Sequence, residues 1–122
     1  MKKILIIEDQ EILADLLQKK LTMSGYQVSL APDGEKGLGL MRQLRPDLVL
    51  LDILMPKIDG LEVLAAVQKD GDLNKIPVIV ISNSGQPAEI EKIKKLGAKD
   101  WLVKTDFNIQ EIIQKVKKQI GD

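Results

Sequence analysis

The chain has 122 residues, enough for one domain with one core. Eighteen basic and eighteen acidic side chains cancel, so no field of one sign draws the whole molecule onto nucleic acid or an anionic membrane. Cysteine and histidine are absent, which excludes disulfides, thiol chemistry, an imidazole base and the commonest zinc ligands. Any chemistry must run on carboxylates, lysine, hydroxyls and a bound cation. No apolar stretch approaches the roughly 20 residues of a membrane span. The apolar run after Met1-Lys2-Lys3 is too short for a signal peptide, so a cytoplasmic location is expected.

Lys3 to Ile7 reads as a buried strand, rich in β-branched residues and ending at the acid pair Glu8-Asp9. From Gln10 to Ser24, Leu13, Leu16, Leu17 and Leu21 predict one helical face, which Gly25 closes. Tyr26 to Leu30 alternates, as a strand near a sheet edge does. Asp33 caps a predicted helix with Leu38, Met41 and Leu44 inward, and Gly37 and Gly39 weaken it by about 1 kcal/mol each relative to Ala. Four unbroken apolar residues, Leu48 to Leu51, then lead to Asp52, the pattern of a strand buried on both faces. Met55-Pro56 stops that strand. Leu61, Leu64, Ala65 and Gln68 trace a helix ending near Gly71. Ile76 to Ile81 is another buried strand, closing at Ser82. Pro87 opens a helix with Ile90, Ile93 and Leu96, thin in apolar residues and expected to be mobile. Lys99 to Val103 is the last strand, closing at Lys104. Thr105 or Asp106 is expected to cap a final helix with Ile109, Ile112, Ile113, Val116 and Ile120 inward.

Five alternating strand–helix units without a long linker predict one domain over residues 1–122. Its expected form is a doubly wound, flavodoxin-like five-stranded parallel sheet in the order 2-1-3-4-5. In that order the first and third strands are neighbours, about 4.8 Å apart, so Asp9 and Asp52 can converge at the carboxyl edge of the sheet. Two carboxylates about 4 Å apart repel by about 4 kcal/mol at an effective dielectric of 20. Protonation or a bound cation relieves this, and three acids at a wet mouth suit Mg²⁺. Lys104 brings a positive charge and Ser82 a hydroxyl. A nucleophilic carboxylate, a divalent cation, an ammonium and a hydroxyl are the parts that hold a transferred phosphoryl group.

Each of these residues alone is more often a turn, a cap or a solvated charge. The set is more specific, and it resembles the receiver domain of two-component response regulators over the full chain. The resemblance rests on Ile4-Leu-Ile-Ile-Glu8-Asp9, Leu50-Leu-Asp52-Ile-Leu-Met55-Pro56-Lys-Ile-Asp59-Gly60, Val78-Ile-Val-Ile-Ser82 and Gly97-Ala-Lys-Asp-Trp101-Leu-Val-Lys104. It implies that Asp52 accepts a phosphoryl group from a sensor histidine kinase or phosphotransfer protein. Asp9, Asp52 and the backbone carbonyl of Leu54 would ligate Mg²⁺, and Glu8 would act through a water. Lys104 would pair with the phosphoryl oxygens, Ser82 would swing toward them, and Trp101 would turn inward. Leu54 and Ser84 would flank the hydrolysis path. The face of the fourth helix, fifth strand and fifth helix, with Lys92, Lys95, Trp101 and Lys117, would meet a downstream protein or a second copy. The first helix and the loop after Lys104 would meet the kinase. No direct nucleic-acid or membrane partner and no classical enzyme activity are expected.

Three positions depart from the usual family pattern. Thr105 follows Lys104 where the family usually has a cis-bonded Pro, and a cis bond before Thr would cost about 3 kcal/mol. Asn83 stands where Ala or Gly is usual, and Trp101 where Tyr or Phe is usual. Asn83 and Thr105 support an alternative, a receiver that binds partners without turning over phosphate. An aspartate-nucleophile phosphatase would want an acid at Leu54, and a nucleotide binder would not have the acidic Glu8-Asp9-Gln10-Glu11 after its first strand.

Overall fold

The computed structural model of the chain describes residues 1–53, 55, 58–82, 85–103 and 108–121. Among these, five strands form one sheet: β1 (Lys3–Ile7), β2 (Gln27–Ala31), β3 (Leu48–Asp52), β4 (Val78–Ser82) and β5 (Asp100–Val103). Five helices join or follow them: α1 (Glu11–Met23), α2 (Gly34–Leu44), α3 (Gly60–Lys69), α4 (Pro87–Lys95) and α5 (Ile109–Ile120). The strands are parallel and ordered β2-β1-β3-β4-β5, the doubly wound arrangement expected from the alternating pattern.

Alternation along the strands splits the core in two. Leu5, Ile7, Val49, Leu51, Val78 and Val80 face α2, α3 and α4 and pack with Met41, Val63, Val67 and Ile93. Ile4, Ile6, Leu48, Leu50, Ile79 and Ile81 face α1 and α5 and pack with Leu17, Leu21, Ile112 and Val116. Because β3 and β4 are covered on both faces, they carry no polar residue until their last positions, Asp52 and Ser82. Those two positions are where the sheet meets its open edge. Tyr26, fully buried, donates its hydroxyl to the carbonyl of Gly121 at 2.5 Å and ties the end of α5 to the turn after α1.

The helix faces differ from the expectation in detail. On α1 the buried stripe is Ala14, Leu17 and Leu21, while Leu16 is exposed. Four leucines span too wide an arc for one seam: Leu17 and Leu21 enter the core, Leu13 packs at its margin and Leu16 turns outward. On α3 Val63 and Val67 lie deepest beside Leu64, whereas Gln68 is exposed. The cap of α5 is Asn108, whose side chain accepts from the Glu111 N–H at 2.8 Å. A 3₁₀ turn, Leu73–Lys75, precedes β4 and had no signal in the apolar pattern.

Candidate functional site

Parallel pairing puts Ile7 opposite Leu51, so the next residues along, Glu8 and Asp52, leave the sheet side by side. The Glu8 N–H still donates to the Ala31 carbonyl at 3.0 Å, which holds the first acid at the strand end. Its carboxylate accepts from the Gln10 N–H at 3.0 Å. Asp52 is fully buried at the end of β3, and Glu8 is 2% exposed. Asp9, one residue on, is exposed to solvent. One carboxylate oxygen from each of Glu8, Asp9 and Asp52 lies within 4.8 Å of the others. At that spacing each pair of ionised groups repels by about 3.5 kcal/mol at an effective dielectric of 20. A hard, oxygen-seeking divalent cation matches this donor set, and Mg²⁺ takes one or two carboxylates and keeps water elsewhere. The three residues therefore fit the expected metal.

Hydrogen bonds brace the described residues that follow Asp52. The Asp59 side chain accepts from the Glu62 N–H at 2.9 Å and caps α3, with Glu62 reaching back to the Asp59 N–H. The Gly60 N–H donates to the Ile53 carbonyl at 2.8 Å, bringing the start of α3 directly onto the end of β3. On the next strand, Ile81 pairs with Asp52, and the fully buried Ser82 follows it. A cleft of about 200 Å³ adjoins the acids and adds Glu11 and Asp15 of α1 to its lining. Glu11 was read from sequence only as part of the acidic run after the first strand, and Asp15, one helical turn on, was not singled out.

Trp101 is half-buried on β5, and the ammonium of Lys94 stands 4.7 Å from the centre of its ring. The sequence reading named Lys92 and Lys95 on this face and missed Lys94. Lys104 and Leu54, together with Asn83, Ser84, Thr105 and Asp106, lie outside the described residues.

A family model of the response regulator receiver domain matches residues 4–117. The chain belongs to this family. Receiver domains are signalling domains of two-component systems rather than classical enzymes, and they work with histidine kinases or phosphotransfer proteins and with downstream effectors. The chain is 38% identical over 117 residues to the DNA-binding dual master transcriptional regulator RpaA of Synechocystis sp., covering 96% of this chain and 48% of that protein. It is 32% identical over 121 residues to the polar-differentiation response regulator DivK of Brucella anthropi, covering 99% and 98% respectively. The solved chemotaxis response regulator CheY4 of Vibrio cholerae superposes with a TM-score of 0.91 at 27% identity, over 98% of this chain and 99% of that one. The receiver spans about half the length of the first curated relatives it matches. No helix among its described residues is long and apolar enough to cross a membrane.

Proposed function

We propose that residues 1–122 form a single receiver whose Asp52 takes a phosphoryl group from a phosphohistidine on a sensor kinase or phosphotransfer protein. The convergence of the Glu8, Asp9 and Asp52 carboxylates at the carboxyl edge of the sheet carries this reading. Asp9 and Asp52, with the backbone carbonyl of Leu54, would hold Mg²⁺, and Glu8 would orient one of its waters. When bound, the cation neutralises the acids and the oxygens of the incoming phosphoryl group. The ionised Asp52 attacks phosphorus, the bond to the imidazole nitrogen breaks, and the imidazole leaves. Burial at the strand end, with the capped α3 behind it, keeps the nucleophile oriented. Lys104 supplies a fixed positive charge to the phosphoryl oxygens. Ser82, one step along the neighbouring strand, turns its hydroxyl toward them, and Trp101 turns inward behind it.

The acyl phosphate is a mixed anhydride, so water reverses the signal, and by the family resemblance Leu54 and Ser84 would set the rate. The added charge rebalances the α4–β5–α5 face, which then meets a downstream protein or a second copy. α1 and the loop after Lys104 meet the kinase. The test is incubation with acetyl phosphate and Mg²⁺ followed by mass spectrometry of the intact protein. A gain of one phosphate that Asp52→Asn and Asp52→Ala both abolish is the expected result. No gain, or one that survives both substitutions, ends the reading. Saturable Mg²⁺ binding without any gain favours the binding-only receiver that Asn83 and Thr105 suggest.

A further inference from the structure

We propose that Lys94 is a latch on Trp101, stabilising the resting position of its ring against the turn inward. The inference rests on the receiver reading above and names a control of that same switch. α4 runs from Pro87 to Lys95, and Ile93 is its one buried residue. A helix so lightly anchored is among the parts of a fold that reposition most readily, so each further tie to the sheet matters. Trp101 provides such a tie. Its ring packs at the margin of the apolar cluster beneath α4, and the Lys94 ammonium stands 4.7 Å from the ring centroid. Indole is the aromatic face that attracts a cation most strongly, and this distance is well inside the effective range.

The backbone beneath the ring is secured separately. Asp100 accepts from the Trp101 N–H at 2.8 Å and from the Lys115 ammonium at 2.8 Å. The ring therefore moves by rotating its side chain, not by displacing β5. Rotation inward carries it from the solvated ammonium into apolar surroundings. Lys94 could follow only by giving up its water, which an unpaired charge resists. The stacked contact then belongs to one arrangement alone and biases the equilibrium toward it. An exposed contact of this kind is worth about a two- to five-fold shift in population. Lys94 is thus a positioning residue, acting through Trp101.

The chain has one tryptophan, so its emission reports this ring alone. Beryllofluoride with Mg²⁺ serves as the phosphoryl mimic, titrated against wild type, Lys94→Gln, Lys94→Arg and Lys95→Gln. Lys94→Gln is expected to change the resting emission and to lower the half-saturating beryllofluoride concentration two- to five-fold. Lys94→Arg, which also stacks on indole, should restore both values, and Lys95→Gln should match wild type. An unchanged half-saturation in Lys94→Gln overturns the latch, whatever its resting emission. So does an equal shift in Lys95→Gln, which would mark a general charge effect. A wild type that fails to respond removes the receiver reading and the latch with it. A responding wild type with an unaltered Lys94→Gln removes the latch alone.

Discussion

A Cβ built on Gly60 would collide with the carbonyl oxygen of Asp52 and come within 2.6 Å of the Ile53 Cα. Both obstacles are backbone, and neither can swing aside as the end of a side chain can. Gly60 is therefore the point at which the first turn of α3 braces the end of β3. In Gly60→Ala the extra methyl must push the two elements apart. Overpacking of this kind costs about 1–3 kcal/mol, which urea denaturation would show as a lower midpoint at unchanged slope. Because the strain falls on Asp52, phosphate uptake from acetyl phosphate should also drop per folded molecule. In the sequence Gly60 stood out only as the last residue of a motif shared with the family. A close approach between backbones eight residues apart leaves no trace in composition or period.

The two glycines of α2 separate at the level of the element. Chain order alone charges Gly37 and Gly39 equally, yet a Cβ on Gly37 would lie 2.5 Å from the Ile7 Cδ1 while one on Gly39 would meet nothing within 4 Å. Gly37→Ala should thus destabilise despite the better helix former, and Gly39→Ala should stabilise by about 1 kcal/mol. Chemical denaturation of the pair, side by side, checks both signs. Between α3 and β4, the N–H groups of Leu73 and Asp72 hydrogen-bond to the Asp70 carboxylate, and Arg42 and Arg45 add attraction; together these lower its pKa. A folded-state pKa below the unfolded value contributes stability at neutral pH that disappears as pH falls through the depressed value. Asp70→Asn should accordingly melt lower than wild type at pH 7, with the gap closing in strong acid, as thermal melts across pH would show. The central strands β1, β3 and β4 were legible at this scale because burial on both faces leaves unbroken apolar runs. The α5 cap was misplaced because Thr105, Asp106 and Asn108 are all capping types. The spacing of Asn108 to Glu111, three residues apart, was the signal that distinguishes it.

Across the whole molecule, the sheet order does the work of assembling the acids. β1 and β3 are neighbours only because the chain reverses its winding there, and that reversal was readable from five alternating units. The convergence of Glu8, Asp9 and Asp52 followed from it. The Lys94–Trp101 contact did not, since it depends on side-chain conformations across two elements joined by no local pattern. The acid cluster has a thermodynamic consequence for the fold as a unit. Without a cation, three carboxylates within 4.8 Å repel one another, and the repulsion is relieved on unfolding. Removing the charge of the exposed Asp9 should therefore raise the melting temperature of the metal-free protein. The same substitution removes a proposed ligand, so on that reading it should erase the stabilisation that Mg²⁺ confers. In wild type, Mg²⁺ at a hundred-fold excess over its Kd should add about 2.7 kcal/mol, several degrees in Tm for a domain of this size. Asp9→Asn should begin higher and stay flat across the titration. Melting curves with EDTA and with rising Mg²⁺ distinguish this crossing pattern from a simple loss of stability. If Asp9→Asn melts below wild type in EDTA, the three acids are not in electrostatic conflict, and the case for a cation holding them together fails.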